Sequence, residues 1–342
     1  VPNAAITALR ISVSDYTVES VKFYDGKSVA NIIGNMVNNI VDNETQVEIK
    51  AEFDDENCGE RTVRVWFVLN NNDWGNYIAP FEYTIAEDAR INPRPISVIW
   101  EKDAEYIYNG QDRSDSVKAY YEDIDQVKHY LEVNFERAFQ NAGSYTASVT
   151  LTDNTNYQLI GCELDLTITQ LTIVLSNFTV SATKVFDGKT AAAVSDWTHN
   201  IAEGDDVNLT FNAFYNSQNV EEATFITVRF NLTGADSINY IKPADDSIEE
   251  ASIIPLAVDI VWQYNDKYIY DGTNLSESVM ASYIDITGVE KSLKVEFGTE
   301  FVNAGNYSAR ALMAKIDGNY TLVGEWKNLT IEKLQIVTYN LD

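Results

Sequence analysis

Lys22-Phe23-Tyr24-Asp25-Gly26-Lys27 decides the fold, because the chain repeats it as Lys184-Val185-Phe186-Asp187-Gly188-Lys189. A related stretch, Tyr106-Ile107-Tyr108-Asn109-Gly110, returns as Tyr268-Ile269-Tyr270-Asp271-Gly272. Each is an aromatic or apolar run that stops at Asp-Gly or Asn-Gly. Such a run reads as a strand, and the pair that ends it tolerates the positive φ of a two-residue hairpin turn. The four turns, at Asp25-Gly26, Asn109-Gly110, Asp187-Gly188 and Asp271-Gly272, alternate between two kinds. They predict an array A-B-A′-B′ of small β domains.

Outward from these turns the pattern is period-two alternation. Leu9 to Val13, Val47 to Phe53 and Thr62 to Leu69 read as strands of A, as do Ile96 to Trp100, Val117 to Tyr121 and Leu164 to Thr169 of B. Residues 29–41 carry apolar side chains at helical and strand spacing alike, which fits a loop or a short helix. Pro93 and Pro95 predict a stiff joint, with Pro255 as its counterpart. Leu9 answers to Leu171, Trp100 to Trp262 and Phe135 to Phe297, and Asn156-Tyr157 returns as Asn319-Tyr320. Self-similarity of this kind marks a tandem array. The expected domains are A at 1–92, B at 93–169, A′ at 170–254 and B′ at 255–333. Residues 334–342 contain Leu334-Gln335-Ile336-Val337, which resembles Leu171-Thr172-Ile173-Val174. They are expected to be the first strand of a further repeat, cut from a longer array, or an orphan strand that pairs with a neighbouring subunit.

Composition narrows function. The chain has 342 residues, 45% hydrophobic, and a formal charge of -28 from 52 acidic and 24 basic side chains. That balance repels phosphate backbones and anionic lipid, so nucleic acid is not expected as a partner, and with no run of about 18 apolar residues neither is membrane insertion. Two cysteines, Cys58 and Cys162, have no counterpart in the other copy and read as buried thiols rather than a disulfide framework. Catalysis needs a nucleophile, a base and an orienting group in one pocket. With only His129 and His199, and neither repeated, no enzyme is expected. Asp54, Asp55 and Glu56 in A, and Asp245 and Asp246 in A′, could offer oxygens to calcium, the one cofactor these loops admit. Lys22 and Lys184 hold matching strand positions. They read as exposed edge lysines that discourage strand pairing, with a Lys–Asn cross-link as the sharper reading.

Asn141-Ala142-Gly143-Ser144-Tyr145 and Asn303-Ala304-Gly305-Asn306-Tyr307 resemble the N-A-G-x-Y segment of bacterial immunoglobulin-like repeats of the MBG type. The Asp-Gly turns of A and A′ resemble their frequent companions, the YDG-type repeats. Gly143 and Gly305 are expected to supply a positive φ, and Tyr145 and Tyr307 to open a strand and bond back to the corner before it. Ala147 and Ala309 stand where immunoglobulin domains carry a core cysteine. The resemblance implies an all-β chain of four tandem immunoglobulin-like sandwiches, elongated, on a bacterial cell surface. It would act as an adhesin stalk or adhesive repeat, with a surface glycan or protein as partner. Two alternatives are a filament or surface-layer subunit that self-associates through its terminal strand, and a carbohydrate-binding accessory region of a secreted enzyme.

Overall fold

The computed structural model describes residues 5–70, 74–314 and 317–337. The chain is nearly all β, and among the described residues helix is limited to four 3-10 turns. It divides into two compact units, Val1–Gln170 and Leu171–Asp342.

In the first unit, the A segment is led by two eight-residue strands, Gln46–Phe53 and Val63–Asn70, paired antiparallel along their length. Gln46–Phe53 alternates exposed and buried at every residue, as a sheet with one wet face requires. Its inward side chains Ile49, Ala51 and Phe53 meet Val63, Val65, Ala89 and Ile91 in the core. The B segment has a three-stranded sheet (Ile99–Glu101, Lys118–Glu122, Lys128–Leu131) and a four-stranded one (Tyr106–Ile107, Glu163–Thr169, Gly143–Ser148, Asn134–Phe135). In the second unit, A′ repeats the long hairpin as Asn208–Tyr215 and Phe225–Thr233. In B′ the continuous strand Glu290–Phe297 joins both sheets into a six-stranded one.

One plan recurs in all four segments. The first strand pairs parallel with a strand that opens on the tyrosine of an Asn-Tyr pair: Leu9 with Tyr77, Arg94 with Tyr157, Leu171 with Tyr240, Leu256 with Tyr320. The strand before each Asp-Gly or Asn-Gly pairs parallel with the last strand of its segment, as Val21–Phe23 does with Arg90–Asn92.

This pairing corrects the hairpin expectation. A two-residue turn joins only antiparallel neighbours, and the strand ahead of Asp25-Gly26 has a parallel one. The chain therefore leaves its sheet at the turn and crosses to the long hairpin, where Ala30 N–H donates to Ala51 O at 2.9 Å and Phe53 N–H to Ser28 O at 2.7 Å. Residues 29–41 form neither helix nor plain loop but two short strands, Ile32–Ile33 and Val37–Asn38. The backbone bonds that decide this are long-range, to Thr17–Val18 and Val13–Ser14.

Candidate functional site at the repeat joint

The turn is held from inside by a lysine. Lys22 is 9% exposed, and its ammonium donates to Asp25 Oδ1 at 2.7 Å, to Val29 O at 3.1 Å and to Lys27 O. These three bonds use all three of its donors, which is what lets a charge sit inside. Lys184 repeats the cage on Asp187 Oδ1, Lys189 O and Ala191 O. Phe53 and Tyr215 lie beneath the two ammonium groups. Neither lysine is the exposed edge residue that its strand position suggested, and its acceptors belong to its own turn rather than to an asparagine on a facing strand. Burial works against the Asp187 carboxylate, but the bonds from Lys184 and from the Lys189 N–H outweigh it and hold its pKa below the usual range.

The aspartate also shapes the turn. Asp25, Asn109, Asp187 and Asp271 each accept, at Oδ1, the backbone N–H two residues on, an Asx turn. The glycines that follow have φ of 73°, 77°, 69° and 81° in the order Gly26, Gly110, Gly188, Gly272. Only glycine adopts that region at little cost.

Caging and turn together present a surface that the B segment covers. A Cβ on Gly26 would lie 2.7 Å from Ile124 Cδ1, and one on Gly188 would lie 2.5 Å from Ile286 Cδ1. The Tyr24 ring meets Tyr157 edge-on at 5.4 Å, and Phe186 meets Tyr320 the same way at 5.4 Å. Asn156 Oδ1 accepts the Cys58 N–H at 2.8 Å, and Asn319 Oδ1 accepts the Val220 N–H at 2.9 Å. The hydroxyls of Tyr157 and Tyr320 accept the N–H of Ile124 and Ile286, fixing the two isoleucines that enter the glycine notch. Arg90–Asn92 and Arg94–Ser97 run through the joint with only Pro93 between them, and Pro255 stands likewise between Ser252–Ile254 and Leu256–Asp259. Proline needs no ladder partner there. The joint is thus the same object in both units.

Residues 169–247 match the YDG domain. No curated protein matches the chain. The YDG match spans A′, including Phe186-Asp187-Gly188, so its Asp-Gly turn has a structural reason here. The aspartate cages the lysine, the glycine admits an isoleucine of the next segment, and the aromatic ring packs on that segment's tyrosine.

The remaining candidates fall elsewhere. Tyr145 and Tyr307 donate back to Asn141 O at 2.7 Å and Asn303 O at 2.6 Å. Gly143 has φ 146°, whereas Gly305 opens its strand without a positive φ. The corner therefore rests on the tyrosine and not on a required glycine. Of the calcium candidates, Asp54 accepts Thr62 N–H, Asp55 braces Asn57, Asp245 holds Lys242 and the Phe230 N–H, and Asp246 accepts Ser247 N–H. Glu56 is exposed. Among the described residues no three His, Cys, Asp or Glu side chains gather to hold a metal ion. Cys58 and Cys162 are free and only half-buried, and burial at the joint raises the Cys58 pKa. Sequence reasoning placed the joints at Pro93 and Pro255 but missed the contacts that hold them, although one signal was present: an Asn-Tyr pair recurs in every segment.

Proposed function

We propose that this chain is a non-enzymatic repeat region of a bacterial cell-surface protein, a spacer that carries an adhesive part away from the cell. Its segments are four immunoglobulin-like sandwiches in the order A-B-A′-B′, with A and A′ of the YDG type and B and B′ of the MBG type. The repeated joint carries the reading. Evolutionary freedom in a linker would give two different junctions, whereas both A–B junctions have the same isoleucine notch, aromatic pair and asparagine bond. A spacer needs that stiffness, and the charge of -28 keeps such a surface soluble. Small-angle scattering with calcium and then with chelator tests the reading. The expected particle is monomeric and four segments long in both, and a compact particle in both would refute it.

A second reading has one observation behind it. Trp326 is 61% exposed and lines an open groove with Arg310, Asn306, Ser308 and Glu296. At the matching position B carries Glu163, so the fold does not require tryptophan there. An exposed ring flanked by polar side chains suits a sugar ring. A glycan array probed with the chain and with Trp326→Ala separates this reading from the plain spacer.

A further inference from the structure

Three of the four repeated turns carry aspartate before the glycine, and the turn of B carries asparagine. Asn109 is the one asparagine of the chain that glycine follows. Its side chain is exposed. Its Oδ1 accepts the Gln111 N–H at 3.1 Å. This bond folds the amide back over the main chain and closes a ring that holds both Cγ and the Gly110 nitrogen. Among the described residues nothing else bonds to the Asn109 amide group, and the Gly110 N–H donates to no acceptor. Gly110, with φ 77°, has no Cβ to shield its nitrogen.

We infer that Asn109 is a site of self-modification, at which the Gly110 nitrogen attacks the side-chain carbonyl of Asn109 and this residue becomes aspartate or isoaspartate. In the first step the bond from the Gly110 nitrogen to Cγ forms, and the bond from Cγ to Nδ2 breaks. The proton of the Gly110 N–H leaves with the amide nitrogen as ammonia, and a cyclic imide stands at the turn. The charge that builds on Oδ1 during the attack is met by the Gln111 N–H. Water then opens the imide at either carbonyl, its hydroxyl going to the carbon and its proton to the Gly110 nitrogen. Opening at Cγ leaves aspartate, and opening at the main-chain carbon leaves isoaspartate. Neither step draws on more than water.

Other sites in the chain show why the reaction belongs at 109 and what its products do. An ionised carboxylate is no electrophile for an amide nitrogen. The Thr273 N–H and hydroxyl lower the Asp271 pKa, so Asp271-Gly272 resists the same step at neutral pH. Asn216-Ser217 resists it sterically: Asn216 donates to Glu222 O and accepts the Thr224 and Phe225 N–H, and Ser217 carries a Cβ. Aspartate at position 109 fits the turn, because Asp271 closes the equivalent turn of B′ on the Thr273 N–H at 2.8 Å, with its glycine at φ 81°. Isoaspartate does not fit. It carries the main chain through the side-chain carbons, which displaces the acceptor of the Gln111 N–H and moves Gly110 O, the acceptor of Gln140 Nε2 at 2.9 Å. The inference does not depend on the surface-spacer reading.

Peptide mass spectrometry of the whole folded chain, stored at mildly alkaline pH and sampled over weeks, tests this. The peptide that contains Asn109 is expected to gain the mass of an amide-to-acid exchange before any other asparagine peptide does, as both aspartate and isoaspartate, with ammonia released in step. Asn109→Gln keeps an amide one carbon farther from the main chain, and its peptide is expected to stay unchanged. Asn109→Asp should unfold at the urea concentration of the fresh chain, whereas the aged chain, which also holds isoaspartate, should unfold at a lower one. No gain at Asn109 in the folded chain, with gain in the urea-unfolded chain, would show that the turn protects the residue and would overturn the proposal. Aspartate without isoaspartate would mean direct attack by water and overturns the cyclic route. A lowered urea midpoint for Asn109→Asp overturns the claim that the turn accepts its product.

Discussion

Three glycines with nearly the same φ differ in what stands over them, and that difference isolates the energy of the joint. Alanine at Gly272, φ 81°, meets open space, so its cost is the left-handed backbone alone, about 1 kcal/mol. Alanine at Gly188, φ 69°, carries the same backbone cost and also pushes on Ile286 Cδ1, 2.5 Å from the new Cβ. That atom is the tip of a flexible side chain, so it can swing aside. Swinging costs about 0.5–1.5 kcal/mol in rotamer strain and about one methylene of burial, about 0.8 kcal/mol. Gly188→Ala should therefore destabilise by about 2–3 kcal/mol on those terms, and Gly26→Ala should behave likewise against Ile124. Trimming the obstacle removes the excess: in an Ile286→Ala background, alanine at 188 should cost only about 1 kcal/mol. Hydrogen exchange in urea, read by mass spectrometry, measures each segment from its own peptides. Equal costs at Gly188 and Gly272, or an excess that survives Ile286→Ala, would refute the claim that these turns seat the following segment.

Other expectations concern the parts of the joint and its neighbours. Lys22→Met leaves Asp25 and two carbonyls without their buried donor and should cost about 2–4 kcal/mol, whereas Lys50→Met, at an exposed pair with Glu48, should stay within about 0.5 kcal/mol; urea midpoints compare them. Tyr145→Phe deletes the 2.7 Å bond to Asn141 O and should cost about 1 kcal/mol with no change in circular dichroism. Asp285 is held down to about 2 by the Thr287 hydroxyl and the Val289 N–H, and Asp271 is lowered by its bonds from Thr273. Both are below their unfolded values, so their stabilisation is full above about pH 4 and is lost as pH falls through the folded values. A pH series of melting temperatures should show that decline, and Asp285→Asn should flatten part of it.

Much of the architecture was legible because it is local. Alternation marked Val47 to Phe53, within one residue of the observed strand Gln46–Phe53, since a strand with one wet face must read that way. The tyrosine corner was legible because donor and acceptor lie four residues apart. What escaped depends on distant partners. The Asp-Gly turns looked like hairpins because local chemistry sets the turn, while the parallel ladder to residues nearly seventy positions away sets where the chain goes. Lys22 looked exposed because lysine usually is, and its cage is made largely of backbone carbonyls, which no residue pattern displays. Ile124 carried no signal of its own, and the recurrence of Asn156-Tyr157 showed a repeat without showing its partner, since a joint is defined by two segments at once.

The parallel ladders also decide how a segment would respond to tension. A pull along the chain enters A through Leu9–Arg10, which pairs with Tyr77–Ile78, and leaves through Arg90–Asn92, which pairs with Val21–Phe23. In both ladders the force runs along the strands and across the hydrogen bonds. The bonds then share the load and must fail together, instead of opening one by one as in a hairpin peeled from its end. Because the exit strand of A passes through Pro93 directly into the entry strand of B, paired with Tyr157–Ile160, the same loading is handed on from A to B. Within each such joint the outer ladders are loaded as shear pins are, so short strands are expected to resist a pull better than a hairpin of the same length.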